Sequence, residues 1–85
     1  GRLMQRIDFV LRGEHIALDA LLKATGLAGS GGIAKQMITG AQVQVDGEVE
    51  LRRGRKTRAG QIVEVPGARI HVHAAAVEQR PPSGC

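Results

Sequence analysis

The chain has 85 residues, with twelve Lys or Arg against eight Asp or Glu, one phenylalanine, and neither tryptophan nor tyrosine. A chain of this length makes one small domain that buries only roughly 60% of its unfolded surface, and its core must be aliphatic. The net charge of +4 favours a polyanionic partner, while a single cysteine, Cys85, excludes a disulfide framework and a cysteine-based metal site.

The first predicted elements are a strand and a helix. Residues 7–11, "IDFVL", alternate apolar and polar positions and predict a short strand. From His15 to Thr25 the apolar residues Ile16, Leu18, Leu21 and Leu22 recur at helical spacing, with His15 as a polar residue at the helix start. Gly26 occupies the position at which glycine commonly ends a helix, and Leu27 is expected to pack back onto it.

The second predicted helix begins after Ser30 and ends at Gly40. Serine is a favoured N-cap because its hydroxyl accepts a hydrogen bond from an otherwise unpaired backbone N–H. The spacing predicts a buried face made of Ile33, Ala34, Met37 and Ile38, and it leaves Lys35, Gln36 and Thr39 pointing elsewhere.

After Gly40 the apolar period changes to two, which is typical of strands. The dipeptide Asp46-Gly47 predicts a hairpin. Odd positions are expected to point inward and even positions outward: Val43, Val45, Val49 and Leu51 against Gln42, Gln44, Glu48 and Glu50. Two further strands are expected, at 59–65 with Ile62, Val63 and Val65 inside, and after Pro66-Gly67 with Ile70 and Val72 on one face.

The glycine-rich stretch "GLAGSGGIAKQMI", residues 26–38, raises the possibility of a phosphate-binding loop for a nucleotide. The spacing of Gly26 and Gly31 fits a P-loop, but Gly32 stands where the lysine belongs and Ile33 where the Ser or Thr belongs. The preceding element also reads as a helix rather than a strand, so a nucleotide cofactor is not expected. Two alternatives for Gly29, Gly31 and Gly32 stay open: close approach of the two helices, or close approach of a ligand phosphate to the backbone.

The segment "LRRGRKTR" is the strongest charge signal in the chain. Five of the twelve basic residues fall within seven positions: Arg52, Arg53, Arg55, Lys56 and Arg58. Such a run is often only a solvated loop. Here it connects two predicted strands, so its side chains can converge on one partner, and guanidinium groups bind phosphate bidentately. Because stacking aromatics are nearly absent, recognition of a nucleic acid would depend on phosphates and shape.

Other chemistry is poorly supported by the sequence. His71 and His73 share one face of a strand, but two histidines without a third ligand make a weak metal site. There are no paired carboxylates on a common buried surface and no Ser-His-Asp arrangement, and Ser30 is explained as a helix cap. No apolar run reaches the roughly 18 residues needed to span a membrane. We therefore expect a cytoplasmic, non-enzymatic monomer without metal or cofactor.

The order of these elements resembles the RNA-binding domain named after ribosomal small-subunit protein S-four, the alpha-L RNA-binding motif. The resemblance covers residues 16–65 and is carried by "LDALLKATGLAGSG", "AKQMITGAQVQVDGE" and "KTRAGQIVEV". Its positions are filled here by Ser30, Ile38, Gly40, Val43, Val45, Asp46, Gly47, Gly60, Ile62 and Val65. The "SGG-x-AK" form is similar to compact bacterial members of the family.

This resemblance implies an α+β fold, with two packed helices against a small, mostly antiparallel sheet, and no catalysis. It implies that structured RNA, ribosomal or transfer RNA, binds to the exposed face of the second helix and the neighbouring strand loops. The residues implicated are Ser30, Gly31, Gly32, Lys35, Gln36, Arg52, Arg53, Arg55, Lys56 and Arg58. Related domains usually carry arginine where this chain has Gly31, and Lys35 is expected to take part of that role.

We therefore predict one RNA-binding domain over residues 7–73, with flexible termini at 1–6 and 74–85. The ribosome is the expected setting. The alternative function is that of an adapter, which would dock on a ribosomal or RNA-processing protein through its helix pair.

Overall fold

The structure is a computed structural model that describes residues 4–75. It contains two helices and seven strands: β1 (Gln5–Val10), β2 (His15–Ala17), α1 (Leu18–Ala24), α2 (Gly31–Thr39), β3 (Gln44–Val45), β4 (Glu48–Val49), β5 (Lys56–Arg58), β6 (Ile62–Val65) and β7 (Ala68–His73). The predicted tail beyond residue 75, including Cys85, lies outside the described residues.

The main sheet has five strands in the order β1-β7-β6-β3-β4. The pairs β7–β6, β6–β3 and β3–β4 are antiparallel, and β1 pairs with β7 in parallel. A second, two-stranded sheet joins β2 to β5. The predicted fold class, two packed helices against a mostly antiparallel sheet, is confirmed, and β1 begins at Gln5, two residues before the predicted strand.

The core lies between the helices and one face of the main sheet. The helices contribute Leu18, Leu21, Leu22, Ala34 and Ile38, and the sheet and the segment leading into it contribute Val43, Val45, Val63, Val65, Ala68, Ile70 and Val72, all of them buried. Phe9 and Leu27 are half-buried against this cluster. The core is therefore aliphatic, as the composition predicts.

The prediction for the first helix was wrong at its start. Residues 15–17 form β2, which pairs with β5 so that His15 lies opposite Arg58. The helix begins only at Leu18 and ends where predicted, with Thr25 as C-cap and Gly26 in the left-handed region at φ 83°. The pairing partner of β2 lies about forty residues along the chain, and a local apolar period cannot detect it.

The second helix follows the prediction at both ends. The Ser30 hydroxyl accepts a hydrogen bond from the Ile33 N–H at 3.2 Å, and Gly40 is the C-cap. A Cβ at position 40 would lie 2.9 Å from the Gln36 carbonyl oxygen, so only glycine fits without a shift. The predicted buried face was wrong at Ile33, which is 46% exposed, because the buried stripe of α2 follows Ala34 and Ile38 and Ile33 lies beside it.

The hairpin forms at Asp46-Gly47, where both residues have positive φ, as a type I′ turn requires. The prediction that Val49 and Leu51 point inward and Glu50 outward was wrong: Val49 and Leu51 are exposed and Glu50 is buried. A two-residue turn pairs Val45 with Glu48 and Gln44 with Val49. Directly opposed residues share a face, so inward odd positions before the turn continue as inward even positions after it, at Glu50.

Candidate nucleic-acid interface

The basic segment, defined here as residues 52–58, carries the five clustered cations on an ordered turn and strand. Arg52, Arg53, Lys56 and Arg58 are exposed, and Arg55 is partly buried. The Arg55 N–H closes the turn on the Arg52 carbonyl at 3.2 Å, after which Lys56–Arg58 form β5. A concave surface of about 430 Å³ is lined by Arg52, Gly54, Arg55 and Lys56.

The main chain of this segment is docked on the start of α1. The backbone N–H groups of Leu18 and Asp19 donate to the carbonyls of Arg55 and Arg53 at 2.9 and 3.1 Å. Because the first N–H groups of a helix have no partner within the helix, these bonds cap α1 in place of a side chain. The basic segment therefore has a fixed position relative to the helices.

Glu50 fixes the arginine side chains at the base of the segment. Its Oε2 accepts from the Arg52 backbone N–H at 3.1 Å and from Arg52 Nε at 3.0 Å, and its Oε1 accepts from Arg55 Nη1 at 2.7 Å. The Glu50 side chain is only 9% exposed, whereas that of Arg52 is 79% exposed. Hydrogen bonds from Arg52 and then Arg55 lower the pKa of Glu50 to about 2, against an ordinary value of 4.5.

This lowered pKa predicts a pH dependence of folding stability. Because the folded-state pKa lies below the unfolded value, the Glu50 contribution is complete above about pH 4.5 and is lost as the pH falls towards 2. Its size is at most about 3 kcal/mol, and less where solvent screens Arg52. Denaturant melts at pH 6 and pH 3 should show a smaller acid-induced loss of unfolding free energy in E50Q than in the wild type. Equal losses in both proteins would contradict this assignment.

The other half of the predicted site lies at the start of α2. Ser30, Gly31, Gly32, Lys35 and Gln36 are all exposed there, and Lys35 lies one helical turn beyond Gly31 on the same face. A Cβ at Gly29, Gly31 or Gly32 would meet no atom closer than 3.6 Å. Close approach of the two helices therefore does not require glycine at these three positions.

Helix α1 joins the two halves of the site. The basic segment caps its first turn, and Lys23 in its last turn lies beside Gly31, so the halves are separated by roughly 10 Å of helix. Along this path a cleft of about 470 Å³ is lined by Asp19, Ala20, Lys23, Ala24 and Gly31. The predicted residues thus form two groups, one at each end of α1.

Two residues near the interface were missed by sequence reasoning. Lys23 is exposed, and its Cδ lies 3.9 Å from where a Gly31 Cβ would be, so the lysine side chain runs beside Gly31. His15 lies opposite Arg58 across the β2–β5 pair, at the end of the basic segment. No local signal in the sequence identifies where these two side chains lie, because each position depends on contacts between distant elements.

His73 on β7 lies against a carboxylate that it shares with an arginine. His73 Nε2 lies 2.8 Å from Asp8 Oδ1, and Arg6 shares the same carboxylate at 3.0 Å. Within residues 4–75, no three His, Cys, Asp or Glu side chains are grouped to hold a metal ion. None of the helices in that range is long and apolar enough to cross a membrane.

Residues 9–73 match the family model of the S4 domain. The chain belongs to the S4 domain family. This match spans both halves of the candidate interface and all the elements between them, and it confirms the family resemblance read from the sequence.

Proteins similar to this chain include small bacterial members of the family. YbcJ of Escherichia coli K12, named as a candidate RNA-binding protein, is 45% identical over 71% of this chain and 86% of its own length. RlbA of Bacillus subtilis 168, named as a probable ribosome maturation protein, is 41% identical over 64% of this chain and 76% of its own.

A solved structure has the same fold. The solution structure of YbcJ from E. coli is 40% identical and covers 87% of this chain and 95% of its own, with a TM-score of 0.66. That structure is described as revealing an alfaL motif involved in RNA binding.

Proposed function

We propose that this chain binds structured RNA, ribosomal or transfer RNA, without catalysing a reaction on it. The observation that carries the proposal is the basic segment. Its main chain is held on the start of α1 by two backbone hydrogen bonds, and this fixes where its five cationic side chains begin. The names of the YbcJ and RlbA relatives support it, the second pointing to a ribosomal setting.

The proposed contact surface has two parts. Ser30, Gly31, Gly32, Lys35 and Gln36 at the start of α2 form one part, with Lys23 beside them. The basic segment forms the other, in which Arg52, Arg53, Lys56 and Arg58 are the exposed contacts and Arg55 is largely a support.

Phosphate contacts should carry most of the affinity. The single aromatic side chain, Phe9, is half-buried against the core, so the described surface offers no evident stacking platform. RNA duplexes are recognised mostly by shape and by backbone contacts. We propose that the protein acts as a cytoplasmic monomer and needs no cofactor or metal for this binding.

The adapter alternative is favoured by one observation. Ile33, Val49 and Leu51 are 46%, 50% and 56% exposed, and large apolar side chains at a surface can serve protein contacts. In that case the arginines would be solubilising, and binding to a protein partner would depend little on salt.

The test is a titration of the purified protein with a fluorescent rRNA hairpin at several salt concentrations. With about six phosphates contacted, log K should fall with log salt at a slope of about −5, since each duplex contact contributes about −0.9. Absence of binding to structured RNA, or binding that does not respond to salt, would contradict the proposal. ATP and GTP should leave the thermal midpoint unchanged, whereas stabilisation by either would favour a nucleotide site.

A further inference from the structure

We propose that Glu50, a negatively charged residue, is needed for tight RNA binding because it positions Arg52. This inference rests on the proposed function and adds a positioning residue to it. Glu50 itself is buried and does not contact the RNA.

The geometry divides the two arginines between different tasks. Arg55 donates a hydrogen bond from Nη1 to Glu50, and its side chain is only 31% exposed, so its role is structural. Arg52 donates hydrogen bonds from its backbone N–H and its Nε–H to the same carboxylate, yet its side chain remains 79% exposed. Within residues 4–75 no hydrogen-bond acceptor engages its two terminal nitrogens.

A guanidinium held by Nε presents its terminal edge in a fixed direction. That edge carries parallel N–H groups that match two phosphate oxygens. An arginine already ordered before binding loses less side-chain freedom on contact than one that is free to rotate. Glu50 thereby restricts the rotation of the Arg52 side chain and orients its guanidinium for a phosphate before RNA binds.

The proposal makes a prediction opposite to that of simple electrostatics. E50Q raises the net charge from +4 to +5, so long-range attraction to RNA should strengthen. Arg52 and Arg55, however, bond to different oxygens of Glu50, and a glutamine amide would present an N–H donor in place of one of those acceptors. E50Q therefore gains one unit of positive charge but loses the hydrogen bonds that orient the Arg52 side chain.

Glu48, two residues earlier on the same arm of the hairpin, provides a matched control. It is exposed on β4, and its side chain has no hydrogen-bond or ion-pair partner within residues 4–75. E48Q changes the net charge by the same single unit two residues away, so it reports the effect of charge alone.

The experiment measures the affinity of the wild type, E50Q and E48Q for one rRNA hairpin across salt concentrations. E50Q should bind about fivefold more weakly and lose roughly one phosphate contact from the salt slope, while E48Q binds as tightly as the wild type or up to about twofold tighter. A second readout is the Arg52 Nε–H proton signal, which should be slowed in exchange in the wild type and in E48Q and lost in E50Q.

A third variant, E50D, keeps the charge at this position and changes only the reach of the carboxylate. Its side chain is one methylene shorter, so it cannot reach both arginines; it should bind more weakly than the wild type, and less weakly than E50Q when both are folded. If E50Q or E50D binds as tightly as the wild type, Glu50 has no positioning role. If the wild type itself binds no structured RNA, the proposed function fails instead.

Discussion

The double reversal R53E/R58E should weaken binding of a structured RNA by about 100-fold, or about 2.7 kcal/mol. Both side chains are exposed, and neither forms an ion pair within residues 4–75. The hydrogen bonds that hold these two residues use only their backbone atoms: the Arg53 carbonyl accepts from Asp19 and the Arg58 N–H donates to the Gln61 side chain. The fold should therefore survive, as a circular dichroism melt can verify, while fluorescence titration measures the affinity.

Arg55 is a poor choice for such a reversal despite its place in the basic run. A glutamate there would stand next to Glu50 at the base of the segment, where Arg55 Nη1 now lies 2.7 Å from Glu50 Oε1. Weaker binding by R55E would then mix lost contacts with a disturbed loop.

A control with the same change of charge is R6E/R69E, which also takes the net charge from +4 to zero. Because Arg6 pairs with Asp8 and Arg69 with Glu64, a circular dichroism melt must first show that this variant is folded. Arg6 and Arg69 are cross-strand neighbours on the face of the sheet turned away from the core and helices. This control should cost RNA affinity only through long-range attraction, by about tenfold or less. Equal losses in the two double variants would mean that total charge, and not the basic segment, carries the binding.

Introducing arginine at position 31 should raise RNA affinity by about tenfold, or about 1.4 kcal/mol. A Cβ there meets nothing closer than Lys23 Cδ at 3.9 Å, so the new side chain has room at the start of α2. It would add a bidentate phosphate donor next to Lys23 and one turn before Lys35. Its measurement is the same hairpin titration.

G31A is the control for this substitution. Alanine should stabilise the helix by less than the roughly 0.5–1 kcal/mol found in helix interiors, because Gly31 is the first helical residue. Denaturant melts can measure that gain without any new phosphate contact. If G31A and G31R raise affinity equally, the effect is helix stabilisation. If G31R lowers affinity, RNA approaches the bare backbone at Gly31, and the position needs glycine.

The parts of the fold that the sequence predicted are those with strong local signals. Ser30 caps α2 through its hydroxyl, Gly26 ends α1 in the left-handed region, and Asp46-Gly47 forms the hairpin turn. Each of these depends on a few adjacent residues, because caps and tight turns restrict residue type directly.

The errors arose where distant segments determine the structure. His15 was assigned to a helix because its pairing with Arg58 is invisible to local periodicity. Glu50 was a different case, since the change of parity across a two-residue turn follows from strand geometry and was available from the sequence. A glutamate at an inward position followed by arginines two and five residues later is the signal that could have identified it.

The candidate site was predicted in its components rather than in its arrangement. The sequence identified the basic run and the exposed side of the second helix. It could not show that α1 separates them, that Lys23 lies beside Gly31, or that Arg55 is partly buried. Those features depend on packing between elements.

The most direct test of the account is a two-dimensional NMR titration of the ¹⁵N-labelled protein with a structured rRNA fragment. We expect the largest amide shifts at residues 30–36, at Lys23 and at residues 52–58, with little change at Arg6 and Arg69 on the opposite face of the sheet. Bound RNA that shifts the opposite face while residues 30–36 and 52–58 stay unchanged would contradict the proposed interface.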